Sequence, residues 1–351
     1  MRAAQRLPRV RPGGSARTPT PGSLRAPPGL QLPAAPAPRP DYSSRQPPRP
    51  ARTTSPGPAR PWLPMEVEGA RPEACGCKGI RSCLLCEQRG GGSAPRPLPT
   101  KTVARFVYCP RTGLARGAEA TEAQGRAFPF PGVILLEDFV SAEEEAHMVR
   151  LMDQDPWKPS QSGRRKQDYG PKVNFRKRKL KVGAFGGLPA FSRAVVRRMG
   201  EACPVLAGFA PVEQCNLDYD PARGAAIAPH LDDAWLWGER LVSLSLLAPT
   251  VLTLTWAGGP GGPEGPGGPE GPPPGARPVE VAVGLPRRSL LVLHGPARHR
   301  WHHGIQRRHV QARRVCATFR ELSAEFGPGG AQASLGQALL DTALTFRGKP
   351  V

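Results

Sequence analysis

No stretch of the sequence reaches the roughly 18 to 20 consecutive apolar residues that a helical membrane span requires. Its start carries no charged-then-apolar signal for secretion. A soluble intracellular protein without a membrane partner is the expectation. Cysteine is scarce, with eight in 351 residues. Four crowd between Cys75 and Cys86 while Cys109, Cys203, Cys215 and Cys316 lie scattered, which excludes the spaced disulfide framework of a small secreted domain. Acidic residues are also in short supply: 28 Asp and Glu face 49 Lys and Arg, a net charge of +21. That excess favours acidic partners, whether protein or nucleic acid. Residues 1–64 carry the imbalance furthest, with no lysine, no glutamate and a single acid, Asp41, beside eleven arginines and 17 of the 45 prolines. Such a segment cannot bury enough apolar surface to offset its ordering entropy, so a disordered extension is expected there. Its prolines block the amphipathic helix of a mitochondrial transit signal, and the segment reads instead as the product of an alternative upstream start, with Met65 opening the usual product.

What remains is long enough for one sizeable domain with attachments. Residues 65–100 form an arm around CGCKGIRSCLLC, a C-x-C-x5-C-x2-C run. Cys75, Cys77, Cys83 and Cys86 offer four soft ligands, enough to close the shell of one Zn2+. The alternative is four unliganded cysteines in a flexible arm. Residues 101–326 read as the main domain. GVILLEDFV (132–140) has strand character, and the following SAEEEAHMVRLMDQD opens with a capping box, Ser141 three residues before Glu144. A second helix is predicted over Phe191–Met199. Between them, residues 162–181 (SGRRKQDYGPKVNFRKRKLK) carry nine Lys or Arg in twenty positions. A basic loop of this kind, with Tyr169 and Phe175 interleaved, grips phosphates and stacks on bases, docks an acidic protein surface, or is simply solvated. After Cys215, short alternating runs broken by turn residues (CNLDY, LVSLSLLAPTVLTLTW, VEVAV, RSLLVLHG, RRVCATFREL) predict a β-sandwich or barrel. The Gly/Pro insert at 257–278 cannot enter a ladder and is predicted to be a disordered loop. Residues 327–351 are predicted to hold a short helix.

The chemistry gathers around PHLDD (229–233), a histidine and two adjacent aspartates before a strand. Side chains of a strand alternate, so His230 and Asp232 share a face while Asp233 points away toward a turn. H-x-D is common by chance and needs a third ligand. His294, His299, His302 and His303, all within HGPARHRWHHGI, are the candidates, and spacing alone does not choose between the last two. On RRVCATFREL, Arg314, Cys316, Thr318 and Arg320 occupy one face and Val315, Ala317 and Phe319 the other. Two inward guanidinium groups require an anionic partner. Two histidines and one carboxylate form the ligand set of non-haem Fe(II) oxygenases, which leaves positions for a chelating 2-oxoacid and O2. Arg314 and Arg320 are then expected to grip the far end of a dicarboxylate co-substrate.

Taken in order, NLDY, PHLDD, SLLVLHGPARHRWHHGI and RRVCATFRE resemble the AlkB family of Fe(II)- and 2-oxoglutarate-dependent dioxygenases, over residues 128–326. The resemblance implies a mostly β fold with flanking helices around a double-stranded β-helix, or jelly roll. It implies His230, Asp232 and His303 as the Fe2+ ligands, His303 because members keep their distal histidine directly before Gly-Ile. It further implies Arg314 at the distal carboxylate of 2-oxoglutarate, with Arg320 and Tyr219 as other co-substrate contacts. Leu217 departs from the pattern, since many members carry asparagine there. CGCKGIRSCLLCE, FPFPGVILLEDFV, QSGRRKQDYGPKVNF and ELSAEFGPGG are similar to one branch of the family's animal members.

The implied activity is oxidative N-demethylation that releases formaldehyde and succinate. For that branch the implied substrate is monomethyl-lysine in a protein, actin, with N6-methyladenine in DNA as the alternative, and the implied location is cytoplasmic and nuclear. On nucleic acid, Arg164, Arg176 and Lys177 would hold the backbone while Tyr169, Phe175 or Trp157 stacks a flipped base. On protein, the same cations would dock an acidic partner beside an aromatic-lined pocket for methyl-lysine. A third reading is a non-catalytic scaffold that recruits partners through the basic arm and cysteine cluster.

Overall fold

The computed structural model describes residues 75–77, 83–89, 103–256 and 278–351. The chain divides after Gly69, and the described residues all belong to the second unit. The extension at 1–64 and all but the last residue of the Gly/Pro insert lie outside the described residues. Helix α1 (Leu84–Arg89) precedes four short strands, β1 (Ala104–Cys109), β2 (Leu114–Gly117), β3 (Ala127–Pro129) and β4 (Val133–Leu136). Helix α2 (Ala142–Gln154) leads to β5 (Lys158–Pro159), β6 (Arg165–Tyr169), β7 (Lys172–Asn174) and β8 (Lys179–Lys181). Helix α3 (Arg193–Ala202) is followed by β9 (Glu213–Tyr219), β10 (Ile227–His230), β11 (Trp237–Leu246) and β12 (Thr250–Trp256). Strands β13 (Val279–Leu285) and β14 (Leu290–Leu293), the short helix α4 (Gly295–His299), β15 (His302–Ile305), β16 (Arg314–Leu322) and helix α5 (Ala333–Ala343) complete the chain.

Two seven-stranded sheets form, in the orders β10-β15-β12-β13-β1-β2-β3 and β4-β14-β11-β16-β9-β6-β5. The β1–β13 pairing is parallel and the other described pairings are antiparallel. The result is a mostly β jelly roll with helices outside one sheet. Period-2 alternation sorts the second sheet's side chains between two apolar layers. Val242, Leu244, Val292, Val315, Ala317 and Phe319 face the helices, where they meet Met148, Met152, Val195, Met199 and Leu339. Leu241, Leu291, Leu293 and Cys316 face the other sheet, where they meet Leu252, Leu254, Val281 and Val283. The polar members of that inner face, Ser243, Ser245, Arg314, Thr318 and Arg320, are thereby delivered to the interior of the roll.

Helix α2 starts at the predicted capping box. Glu144 N donates to Ser141 Oγ (3.2 Å), and Ser141 N donates back to Glu144 Oε2 (2.8 Å). Two expectations change. The strand read over 132–140 is confined to the four residues that pair with β14, because Asp138 turns the chain in the left-handed region (φ 46°). The basic run at 162–181 is not a loop. Its first part is strand β6, hydrogen-bonded to β9, and its second is the β7–β8 hairpin joined by a 3-10 turn at Phe175–Lys177. No described helix is long and apolar enough to cross a membrane.

Phe319 is fully buried in the helix-facing layer. Phe319→Ala is expected to cost about 3–5 kcal/mol, read as a lowered midpoint in urea unfolding with an unchanged slope.

Candidate active site

Strand β10 lies at the edge of its sheet, and its antiparallel register on β15 sets His230 directly opposite His303. The two ring centroids are 4.3 Å apart. Gly304 permits this approach: a Cβ there would meet Ile227 O at 2.8 Å and Pro229 N at 2.9 Å. Alternation sends His302 to the other side of β15. Trp301, edge-on to Phe130 at 4.8 Å, anchors the start of that strand.

Asp232 lies beyond the end of β10, so a loop rather than strand alternation returns it to His230. Its Oδ1 is 3.4 Å from His230 Nε2 and 3.8 Å from His303 Nε2. Two arginines hold that loop. Arg298 Nη1 donates to the Asp232 carbonyl oxygen (3.1 Å), and Arg320 Nε donates to Asp232 Oδ2 (2.5 Å). Asp233 serves a turn instead, its Oδ1 accepting from Trp235 N at 2.9 Å.

The three candidate ligand atoms all lie within 4.8 Å of one another. Adjacent donors about 2.1 Å from a shared ion stand roughly 3 Å apart, close to the separations found here. His230 Nδ1 donates to Ala228 O (3.0 Å), which leaves the Nε2 lone pair facing the centre. Burial pushes His303 down to about 3, so its imidazole is neutral and able to ligate. Burial alone would raise the Asp232 carboxyl, yet the Arg320 guanidinium beside it holds it well below the usual carboxylate range. Neutral imidazole and ionised carboxylate on one face fit a ferrous ion.

Tyr219 on β9 and Arg314 on β16 are register partners on the facing sheet. The Arg314 guanidinium lies 5.2 Å over the Tyr219 ring, and its Nη2 donates to Ser245 Oγ (3.0 Å). Although Arg314 is 1% exposed, its Nε and Nη1 have no partner among the described residues. A buried guanidinium with two unused donors is costly alone and complementary to a carboxylate. This orphaned fork is the feature into which the distal carboxylate of 2-oxoglutarate fits. Burial pushes the Tyr219 phenol up to about 12 even with Arg164 beside it, so it stays neutral.

Arg320 corrects an expectation. Its donors are already engaged, Nε by Asp232 and Nη1 by Glu213 Oε2 at 2.7 Å. It also lies six positions from Arg314, about 20 Å along a strand that rises about 3.3 Å per residue. Arg320 therefore serves the metal end of the pocket and Arg314 the far end.

Of the expected substrate contacts, Tyr169 is fully buried on the helix side, edge-on to Phe191 at 6.4 Å. Trp157 packs against the helix-facing layer and donates to Asp153 Oδ1 at 2.9 Å. Tyr169 cannot stack a base, because its strand turns it inward, whereas Trp157 is partly exposed. Arg164 is buried beside Tyr219 and forms part of the co-substrate wall rather than a surface phosphate contact. Phe175, Arg176 and Lys177 are exposed on the β7–β8 hairpin.

Sequence reasoning missed Arg298, Glu213, Lys166 and Asp168. Register places Lys166 and Asp168 of β6 beside Leu217 and Cys215, on the inner face. They form an ion pair at 2.6 Å, and Cys215 Sγ lies 3.4 Å from Asp168 Oδ1. Alternation along RKQDY would have revealed both, had that run been read as a strand. Nothing in the local sequence marks Arg298.

Arg314→Ala is expected to raise the 2-oxoglutarate dissociation constant at least about tenfold, and Arg314→Lys to recover only part of the loss, since a lysine lacks the fork. Co-substrate titration by calorimetry checks both. Arg298→Ala is expected to weaken Fe(II) affinity by about 10- to 100-fold, read by competition with a chromogenic chelator.

The chain matches no family model. It is 62% identical over 289 residues to human alpha-ketoglutarate-dependent dioxygenase alkB homolog 4, which covers 79% of this chain and 95% of the relative. The mouse protein of the same description is 59% identical over 292 residues, covering 80% and 97% respectively. A Caenorhabditis elegans protein described as a DNA N6-methyl adenine demethylase is 33% identical over 283 residues, covering 75% and 91%. The branch to which the sequence is similar is thus that of the fourth homologue. With identity of this order over nearly the whole length of these relatives, and a His-Asp-His centre facing a buried arginine fork, the chain belongs to the AlkB family of alpha-ketoglutarate-dependent dioxygenases.

Proposed function

We propose that this dioxygenase removes the methyl group of monomethyl-lysine in a protein substrate such as actin, in the cytoplasm and nucleus. His230, Asp232 and His303 hold Fe2+ from one side, and the Arg314 fork anchors the distal carboxylate of 2-oxoglutarate. When bound, the iron and its co-substrate supply the oxidising power, turning O2 and 2-oxoglutarate into succinate and CO2 as one oxygen atom enters the substrate's N-methyl group. The hydroxylated methyl then leaves as formaldehyde and the amine is freed. Arg320 keeps Asp232 ionised and aimed at the metal. The apolar walls, Leu217 and Cys316 among them, keep water from the reacting face.

The observation that carries the lysine reading is the inner wall beside Asp232. Asp168 and Glu213 add two carboxylates to that of Asp232, and Lys166, Arg320 and Arg298 balance them. A wall of paired acids can offer a carboxylate to a cationic alkylammonium, an attraction that a neutral base cannot exploit. Actin as the particular protein rests on the branch resemblance. The worm relative's description favours a second reading, N6-methyladenine in DNA, which the exposed Phe175 and the cations at 176–179 also suit. The scaffold reading does not survive the family assignment.

Formaldehyde release, measured on a monomethyl-lysine actin peptide and on an N6-methyladenine oligonucleotide, decides between them. The peptide is expected to be preferred, and Asp168→Asn to raise its KM about tenfold without changing turnover of the oligonucleotide. The order reverses if the oligonucleotide is preferred and neutralising Arg176, Lys177, Arg178 and Lys179 flattens the salt dependence of its binding.

A further inference from the structure

A second cluster of metal-ligating side chains stands apart from the iron centre. The sulfurs of Cys75, Cys77, Cys83 and Cys86 all lie within 4.8 Å of one another. Cys75 Sγ and Cys83 Sγ are 3.3 Å apart, well beyond a disulfide bond of about 2.05 Å. Four sulfurs at about 2.3 Å from one tetrahedral ion stand roughly 3.8 Å apart, within the spread observed. The same spread leaves no room for an iron–sulfur cluster between them. Backbone amides already point at three of these sulfurs: Cys77 N to Cys75 Sγ (3.3 Å), Cys83 N to Cys86 Sγ (3.0 Å) and Ser162 N to Cys77 Sγ (3.1 Å). Amide donors of this kind stabilise thiolate ligands. Four thiolates this close repel one another unless a cation lies between them.

The third of these bonds reaches 85 residues along the chain, into the turn that opens the basic run. The arm is seated closely there. A Cβ on Gly76 would meet Ser160 O at 2.7 Å, and one on Gly224 would meet the Leu84 side chain at 2.6 Å. Glu87 of α1 accepts two hydrogen bonds from Arg307, at 2.8 and 3.1 Å. The turn itself is strained, with Ser162 and Gly163 both in the left-handed region (φ 55° and 73°). Ser160 N donates to Arg164 O (2.8 Å) and Arg223 Nε to Gly163 O (2.9 Å). Arg164 leaves the turn directly into the wall of the co-substrate pocket, where it reaches the Tyr219 hydroxyl beneath Arg314.

We propose that Cys75, Cys77, Cys83 and Cys86 bind one Zn2+ as a closed tetrathiolate site, and that this metal clamps the 160–164 turn so that Arg164 and Tyr219 support the 2-oxoglutarate pocket. Each Zn–S bond replaces an S–H bond, so binding releases protons and is favoured as pH rises. The zinc site stands on the cysteine geometry alone, whereas the clamp rests on the reading of Arg314 as the co-substrate anchor.

The test uses the full chain. Elemental analysis under reducing conditions should find one zinc per chain, which a mercurial thiol reagent releases to a chromogenic chelator. Cobalt-substituted protein should show sulfur-to-cobalt charge-transfer absorption. Cys83→Ser with Cys86→Ser should abolish both signals. His230→Ala should keep the zinc. Zinc-free protein should bind 2-oxoglutarate about tenfold more weakly, and Arg164→Ala should reproduce that loss with the zinc retained. Cysteines found free of metal, or joined as disulfides, in protein of full activity overturn the site. Loss of zinc with unchanged 2-oxoglutarate affinity overturns the clamp. If Arg314→Ala leaves that affinity unchanged, the anchor reading fails and the zinc result stands untouched.

Discussion

The pairing of β10 with β15, in the register that sets His230 opposite His303, is the constraint on which the rest of the centre depends. A slip of one residue would exchange His303 for His302 or Gly304 and turn the imidazole to the other face of the sheet. Two features hold the register. Gly304 is the residue without a Cβ at the point where β10 passes closest, and Pro229, which offers no amide hydrogen, is tolerated because β10 is an edge strand. The same sheet supplies Leu254 as the neighbour of His303 on its other side, so the ligand strand is gripped from both edges.

Bringing a carboxylate to these histidines is a separate problem, because the loop after β10 has no ladder to fix it. The protein solves it with charge. Arg320 lies between Asp232 and Glu213, and Arg298 holds the Asp232 main chain, so the buried acid is never without a cation. Burying such charges costs more than their attraction returns unless the hydrogen bonds are nearly complete. At the metal end the bonds of Arg320 to Asp232 and Glu213 are made, and Arg298 Nε and His303 Nδ1 are the buried atoms there without a partner among the described residues. At the other end of the same strand Arg314 leaves two donors of its fork unused. The contrast separates structure from function. Arg320 completes the scaffold of the centre, whereas Arg314 waits for a ligand that the chain does not itself provide.

Much of this was legible beforehand, and the reasons for the misses are physical. The alternation in RRVCATFREL announced which residues face inward, since a half-buried strand has no other way to divide its side chains. The capping box at Ser141 announced a helix start for a similarly local reason. The choice of His303 over His302 was not local, since both fit the spacing and only the pairing with β10 distinguishes them; the family resemblance supplied it. The basic run misled because its charge density outweighed its alternation. Arg165, Gln167 and Tyr169 face the helix side while Lys166 and Asp168 face inward, a strand pattern hidden under the cations. Asp232 was paired correctly with His230 on a wrong argument, since it sits past the end of the strand. Arg298 was invisible because its role depends on a carbonyl 66 residues away.

That basic run also explains how one strongly cationic chain accommodates an inner wall that carries three carboxylates. Its first part is absorbed into the second sheet, where Lys166 is neutralised by Asp168 and Arg165 by Asp218. Its second part remains outside, with Arg176, Lys177, Arg178 and Lys179 exposed on the β7–β8 hairpin. The two parts act over different ranges. Exposed cations attract an acidic surface or a phosphate backbone across solvent, an effect screened beyond about 8 Å at physiological salt. The buried wall is screened far less and acts only on the group that has entered. On the proposed function, docking falls to the outer half of this twenty-residue segment and selection to the inner. A salt-sensitive encounter then locates the docking cations, and formaldehyde release identifies the methyl group that is chosen.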